Sequence, residues 1–203
     1  MLWGSHQGGL EIRRKSGGSV SLGGRFPYGK TAVLSDGGRT GRPRKERIAS
    51  RAFSYRVEEP EEDIHLLVGH SYDRPLASRG AGTLVLEDTA EALTFTATIA
   101  PAMQEVSYVR DVLAAIDSGL ILGLSPGFRL PPRRAVPVSE KITDEGSDPA
   151  NGKHNAIIRT VLQALLYELS LVTRPAYPEA QIESRNWQPE ARPARSAAYR
   201  WRA

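Results

Sequence analysis

Gly123-Leu124-Ser125-Pro126-Gly127 sets a serine between two glycines. The pattern G-x-S-x-G marks a strained strand-to-helix turn that presents a nucleophilic hydroxyl, and the next backbone N–H helps to hold an oxyanion. Two features oppose that reading here. Pro126 has no N–H to donate. The following run, Phe128-Arg129-Leu130-Pro131-Pro132-Arg133-Arg134, does not read as a helix. A serine nucleophile on another scaffold stays open, because the same chemistry recurs on unrelated folds. So does the plain alternative, a glycine-rich turn between strands that happens to hold Ser125.

A serine nucleophile needs a base, and the chain offers four histidines: His6, His65, His70 and His154. His6 lies in a loose lead and His154 beside a glycine-rich loop. His65 and His70 share one apolar segment, Asp63 to His70. Their odd spacing sets them on opposite faces of a strand, His70 with Leu66 and Val68. An imidazole at the end of an apolar face can act as a base near neutral pH. A surface histidine beside a turn accounts for the same pattern. No second histidine or cysteine stands at the spacing of a zinc site.

The elements that must hold these residues are mostly short strands. Leu10 to Arg14 and Ser19 to Leu22, joined through Ser16-Gly17-Gly18, read as a hairpin. Thr31 to Ser35 is another short apolar run, and Lys45 to Val57 reads as a short helix. Gly82 to Asp88 and Ala92 to Ala100 alternate strictly, with Leu93, Phe95, Ala97 and Ile99 on one face. The spacing predicts one helix over Pro101 to Ser118, with proline in its first turn and Gly119 as its cap. Val106, Val109, Leu113 and Ile116 form its apolar stripe, which leaves Tyr108 and Val112 spare for a second subunit. Between Asn155 and Arg174 the first half fits a helical period and the second half fits a strand. The sum is an α+β domain, barrel-like, built of antiparallel strands with flanking helices. It spans residues 10–182, between a disordered lead (1–9) and a disordered basic tail (183–203).

Composition narrows the function classes. Of 203 residues 40% are hydrophobic and 25% charged, which suits a soluble domain. No apolar run approaches the roughly 20 residues that span a membrane, and no apolar secretory leader is expected at the start. The chain has no cysteine, so disulfides and thiolate sites drop out and a reducing cytosol is the expected compartment. The net charge of +4 is concentrated in Gly41 to Arg47, Pro131 to Arg134 and the tail. Such runs fit solvated loops, or contacts with nucleic acid or an acidic partner, but no nucleic-acid module is visible.

Four segments in order, "ERIASRAF", "LLVGHSYDRPLA", "GLILGLSPGFR" and "LYELSLVTRPAYPEAQI", resemble the prohead (capsid maturation) serine proteases of tailed bacteriophages. The resemblance runs from about Leu10 to Ile182. That family is distantly similar to the herpesvirus protease assemblin, which implies an assemblin-like antiparallel β-barrel and a homodimer. It also implies an endopeptidase acting in the host cytoplasm, inside the immature capsid. Its substrates would be extensions of the major capsid protein or scaffold, and the protease itself. By the resemblance His70 is the base and Ser125 the nucleophile, with no metal, cofactor, membrane or specific nucleic acid involved. The sequence departs from the pattern at Ser71, Ala77 and Pro126. With Pro126 in place the oxyanion donor must be another group, such as the Gly127 N–H or Arg129.

The resemblance also directs attention to the strand Leu166 to Thr173. On alternation Glu168 and Ser170 face one way and Tyr167, Leu169 and Leu171 the other. A carboxylate turned inward needs a partner, and an imidazolium is one. Glu168 is therefore the expected orienting acid. Asp73 is its rival, a second histidine is another, and an inverted strand with Glu168 in solvent is the plain alternative. The competing functions are a catalytically inactive capsid-assembly scaffold protein and a basic nucleic-acid-binding accessory protein.

Overall fold

The structure, a computed structural model, describes residues 4–5, 10–15, 17–59, 61–121 and 123–175. In chain order the elements begin with β1 (Gly4–Ser5), β2 (Glu11–Arg14), β3 (Val20–Pro27), β4 (Thr31–Ser35), β5 (Arg44–Ile48) and α1 (Ser54–Glu58). There follow β6 (His65–Val68), β7 (Ser71–Ser78), β8 (Leu84–Asp88), β9 (Ala92–Ile99), α2 (Pro101–Gln104) and α3 (Ser107–Asp117). The last are β10 (Gly123–Arg129), β11 (Glu140–Asp144), β12 (Ser147–Asp148), β13 (Lys153–His154), β14 (Ile157–Val161) and β15 (Leu165–Val172). The expected tail from 183 on lies outside the described residues.

Alternation is well kept where it was clearest. β8 and β9 pair antiparallel, and Leu93, Phe95, Ala97 and Ile99 are all buried. The hairpin of β2 and β3 also forms, and Gly4–Ser5 adds to its outer edge. The strands do not close into a barrel. They make three larger sheets, ordered β1-β2-β3-β9-β8, β10-β15-β6-β7 and β11-β14-β5-β4, besides the small β12-β13 pair. Nor is the arrangement wholly antiparallel, since β15 runs parallel to β6 and β14 parallel to β5. A barrel needs a continuous hydrogen-bonded ladder; here the sheets meet through side chains instead.

Phe53 shows how. It is fully buried just before α1. Its ring lies 6.3 Å from Phe26 of β3, 6.1 Å from Tyr28 and 5.6 Å from Phe128 of β10. One aromatic residue thus joins two sheets and the short helix. The C-terminal carbonyls of α1 are in turn capped by Arg79, whose guanidinium donates to the backbone oxygens of Arg56 and Val57.

The expected single helix over Pro101 to Ser118 is two. Val106 takes an extended conformation, with ψ 130°, between α2 and α3. The break rotates the apolar stripe, so the buried set is Val109, Val112, Leu113 and Ile116. Val112 is therefore core. Tyr108 is also committed, its hydroxyl donating to the Pro75 carbonyl at 2.7 Å. Neither is spare for a second subunit. The expected helix over Lys45 to Val57 is corrected, since Arg44–Ile48 is β5 and only Ser54–Glu58 is helical, and the ambiguous first half of the later segment is a strand, β14 (Ile157–Val161). β5 carries a single apolar residue, Ile48, so periodicity says little there, and the parallel pairing of β14 with β5 decides for strand in both.

Removing the hub tests this account. Phe53→Ala is expected to destabilise the fold by about 3–5 kcal/mol, the usual cost of truncating a buried phenylalanine. Urea unfolding reads this directly, and a loss below about 1 kcal/mol would mean the sheets do not depend on the ring.

Candidate active site

The sheet β10-β15-β6-β7 carries every residue singled out for chemistry. In the antiparallel pair of β10 and β15, Ser125 stands opposite Ser170 and Gly127 opposite Glu168. On the other side of β15, Glu168 neighbours His65 of β6 and Ser170 neighbours Leu67. Directly paired residues project from the same face. Ser125, Gly127, Glu168, Ser170 and His65 therefore share one face, while Leu124, Leu169 and Leu171 enter the core from the other.

His70 reaches that face by a turn rather than by alternation. β6 and β7 pair up to Val68 and Ser71, so only Gly69 and His70 connect them. Both have positive φ, 62° and 61°. This is the signature of a two-residue type I′ hairpin, whose twist suits the flanking strands. Histidine in this region costs of order 1–3 kcal/mol and needs support from its surroundings. The support is local. The Gly69 N–H donates to the Leu171 carbonyl at 3.1 Å, and the His70 N–H donates to Ser170 Oγ at 2.8 Å. The expectation that His65 and His70 face apart is thereby corrected: alternation ends at Val68, and the turn brings His70 back to the face that His65 occupies.

His70 Nδ1 lies 2.7 Å from Glu168 Oε1. The second carboxylate oxygen, Oε2, accepts a hydrogen bond from Ser170 Oγ at 2.7 Å. Glu168 is buried, with a side chain 5% exposed, while the His70 side chain is 48% exposed. A buried acid holding one ring nitrogen of a half-exposed imidazole suits a general base. Asp73, the rival acid, is exposed on β7. The Ser125 hydroxyl makes no hydrogen bond among the described residues, so the structure joins His70 to Glu168 and brings Ser125 to the same face without closing the last contact.

Gly127 explains how the acid fits. A Cβ there would fall inside the Glu168 carboxylate. At the other end of the motif, a Cβ on Gly123 would collide with the Pro175 ring. Both glycines of G-x-S-x-G thus give room to neighbours on β15 or just past its end, and neither serves a strand-to-helix elbow. β10 continues as strand through Pro126 to Arg129.

One register shift tunes the face. Between Gly127 and Phe128 the partner advances from Glu168 to Leu166, which leaves Tyr167 as the extra residue of a bulge. Arg56 sits 4.5 Å and Arg129 5.5 Å from the Tyr167 ring centre. Tyr72 completes the surroundings, its ring edge-on to His65 at 5.9 Å. Burial, and next the Glu168 carboxylate, hold the Tyr72 phenol above its ordinary pKa, so it stays a neutral hydroxyl. Sequence reasoning saw that Ser170 shares the side of Glu168 but gave it no role. The signal was the spacing E-x-S on one strand.

The model of the caudovirus prohead serine protease family matches residues 34–193. The match covers most of the chain, and the chain belongs to that family. No curated protein and no solved structure matches it.

The space at Gly127 is testable. Gly127→Ala is expected to cost about 1–3 kcal/mol, as overpacking of a filled site does, and to drive the Glu168 carboxylate off His70. Thermal unfolding and a crystal structure of the variant check both halves. An unchanged 2.7 Å contact in the variant would show that the glycine is not what admits the acid.

Proposed function

We propose that this member of the prohead serine protease family is an endopeptidase that cleaves extensions of the major capsid protein or scaffold, and itself, during prohead maturation. The observation that carries the reading is the 2.7 Å contact of His70 with the buried Glu168, on the sheet face that also bears Ser125. Family membership supplies the reaction class and the setting, a serine peptidase acting within the phage procapsid in the host cell. Among the described residues no helix is long and apolar enough to cross a membrane.

In this reading Ser125 Oγ attacks the carbonyl carbon of the scissile bond while its proton passes to His70 Nε2. The tetrahedral oxyanion collapses, the C–N bond breaks, and Nε2 returns the proton to the departing amine. Water then enters by the same route in reverse order and releases the acyl group from Ser125. Glu168 holds Nδ1 throughout and stabilises the imidazolium. Pro126 supplies no N–H, so the oxyanion is held by the Gly127 N–H or by Arg129. The homodimer and the separable tail at 183–203 belong to the same reading and rest on the family resemblance and on composition. Sedimentation at high concentration should show a dimer, and a chain ending at Ile182 should unfold at the temperature of the full chain; monomer only, or a lowered midpoint, removes the respective claim.

Co-expression with the capsid precursor of the same genome tests the site. Ser125→Ala should keep the fold and abolish cleavage. For the base, His70→Asn is the informative change, because asparagine tolerates positive φ and removes the base without straining the turn. It should lower the rate by roughly 10³-fold or more. Glu168→Gln should lower it by less, and Asp73→Asn should leave it unchanged. Full cleavage by Ser125→Ala would return the scaffold-protein or nucleic-acid reading to the front.

A further inference from the structure

The geometry points to Ser170 as a positioning residue that fixes which nitrogen of His70 carries the proton. The inference rests on reading His70 as the base. Ser170 lies on β15 two residues after Glu168 and is fully buried, with no solvent exposure. It faces Ser125 across the ladder, yet its hydroxyl is already spent. Oγ accepts the His70 backbone N–H at 2.8 Å and lies 2.7 Å from Glu168 Oε2.

A hydroxyl has one proton. Oγ accepts from the amide N–H and donates its own proton to Glu168 Oε2, which as a carboxylate oxygen can only accept. Oε2 is therefore held as an acceptor, and the carboxylate is fixed in rotation about its last torsion. Oε1 then meets His70 Nδ1 at 2.7 Å as an acceptor as well, so Nδ1 carries the hydrogen. The neutral ring keeps its lone pair on Nε2, the nitrogen that must take a proton from Ser125. The chain N–H to Oγ–H to Oε2 begins and ends on the dyad itself, since the first donor is the backbone of His70. Each bond polarises the next. The same hydroxyl secures the positive-φ turn that aims the ring. Its burial and full occupancy also separate it from Ser125, whose hydroxyl is unbound among the described residues.

Ser170→Ala and Ser170→Thr in the full chain test this. The ring ¹⁵N shifts of His70, assigned by difference with His70→Gln and measured where the ring is neutral, report the tautomer without any need for cleavage. In the parent protein they should show hydrogen on Nδ1. Ser170→Ala should show a mixture of tautomers and a kcat lowered at least tenfold, with KM within about twofold. Ser170→Thr, which keeps a hydroxyl, should restore the Nδ1–H pattern. If Ser170→Ala does not fold, Ser170→Cys, of similar size and a weak donor, takes its place with the same expectation. A folded Ala or Cys variant with the Nδ1–H pattern intact and unchanged kcat overturns the inference. A parent protein that shows the Nδ1–H pattern but cleaves no capsid precursor would sink the protease reading and leave the tautomer assignment standing.

Discussion

A carboxylate taken out of water must find a partner for each oxygen, and Glu168 imposes that demand on the middle of a sheet. One oxygen is met by the His70 ring and the other by the Ser170 hydroxyl. Its near neighbours follow from this need. Gly127 is bare because the carboxylate lies over it. The turn at Gly69-His70 bends into the left-handed region because only so does the ring come back to the acid. Breaking such a set by removing one member leaves a buried polar group without its bond, which is costlier than the net worth of any single bond. Replacing the whole set with apolar side chains would be tolerable for stability. Its presence therefore argues for chemistry rather than for holding the fold together.

The serine motif reads differently once it is placed. In a nucleophile elbow the glycines permit a sharp turn into a helix. Here β10 runs straight through the motif and its glycines accommodate Pro175 and Glu168. Objections drawn from Pro126 and from the lack of a helix were sound against the elbow and silent about the serine. The second glycine, two residues after Ser125, makes room for the Glu168 carboxylate that meets His70. Ser125 and Glu168 are thereby coupled through the register of one strand pair: Ser125 with Ser170, Gly127 with Glu168. A slip of one residue would turn the whole set to the opposite face.

How much of this was legible follows from how local each cause is. The alternation of β9 and of Leu169 and Leu171 is a property of a few adjacent residues, and it placed Glu168 inward correctly. The positive φ of His70 is not local in that sense. Histidine has no strong preference for it, and the turn is held by Leu171 and Ser170, a hundred residues away in the chain. The bulge at Tyr167 likewise depends on pairing with Phe128 and Gly127. Nor does periodicity count sheets. Many short alternating strands fit a barrel or three open sheets, and the choice lies in the aromatic contacts of Phe53. The resemblance to a family carried the residue pairing that spacing alone left open.

Pro126 draws the remaining step. β10 is an outer strand of its sheet, the position where proline is tolerated because no ladder bond need be lost. An outer strand also offers its free backbone edge to another extended chain, the usual way a sheet captures a peptide. Proline in the middle of that edge removes one donor from it. A substrate laid beside β10 would thus be held less firmly at Pro126 than on either side of it, and Pro126 is the residue next to Ser125. The backbone position that ordinarily supplies an oxyanion donor is silent, and successive N–H groups of a strand point to opposite edges, so under the proposed mechanism charge developing on a substrate at this edge falls to a side chain. Arg129 stands two residues beyond Gly127 on the same side of the strand, with its guanidinium against Tyr167. The bulge that leaves Tyr167 out of register sets that ring against the guanidinium groups of Arg56 and Arg129. The irregularities of this face, a proline, a bulge and a left-handed histidine, lie around Ser125 and Glu168, and the pairing of β6 with β7 adds two further register shifts, between Leu66 and Leu67 and between Leu67 and Val68, on the approach to His70.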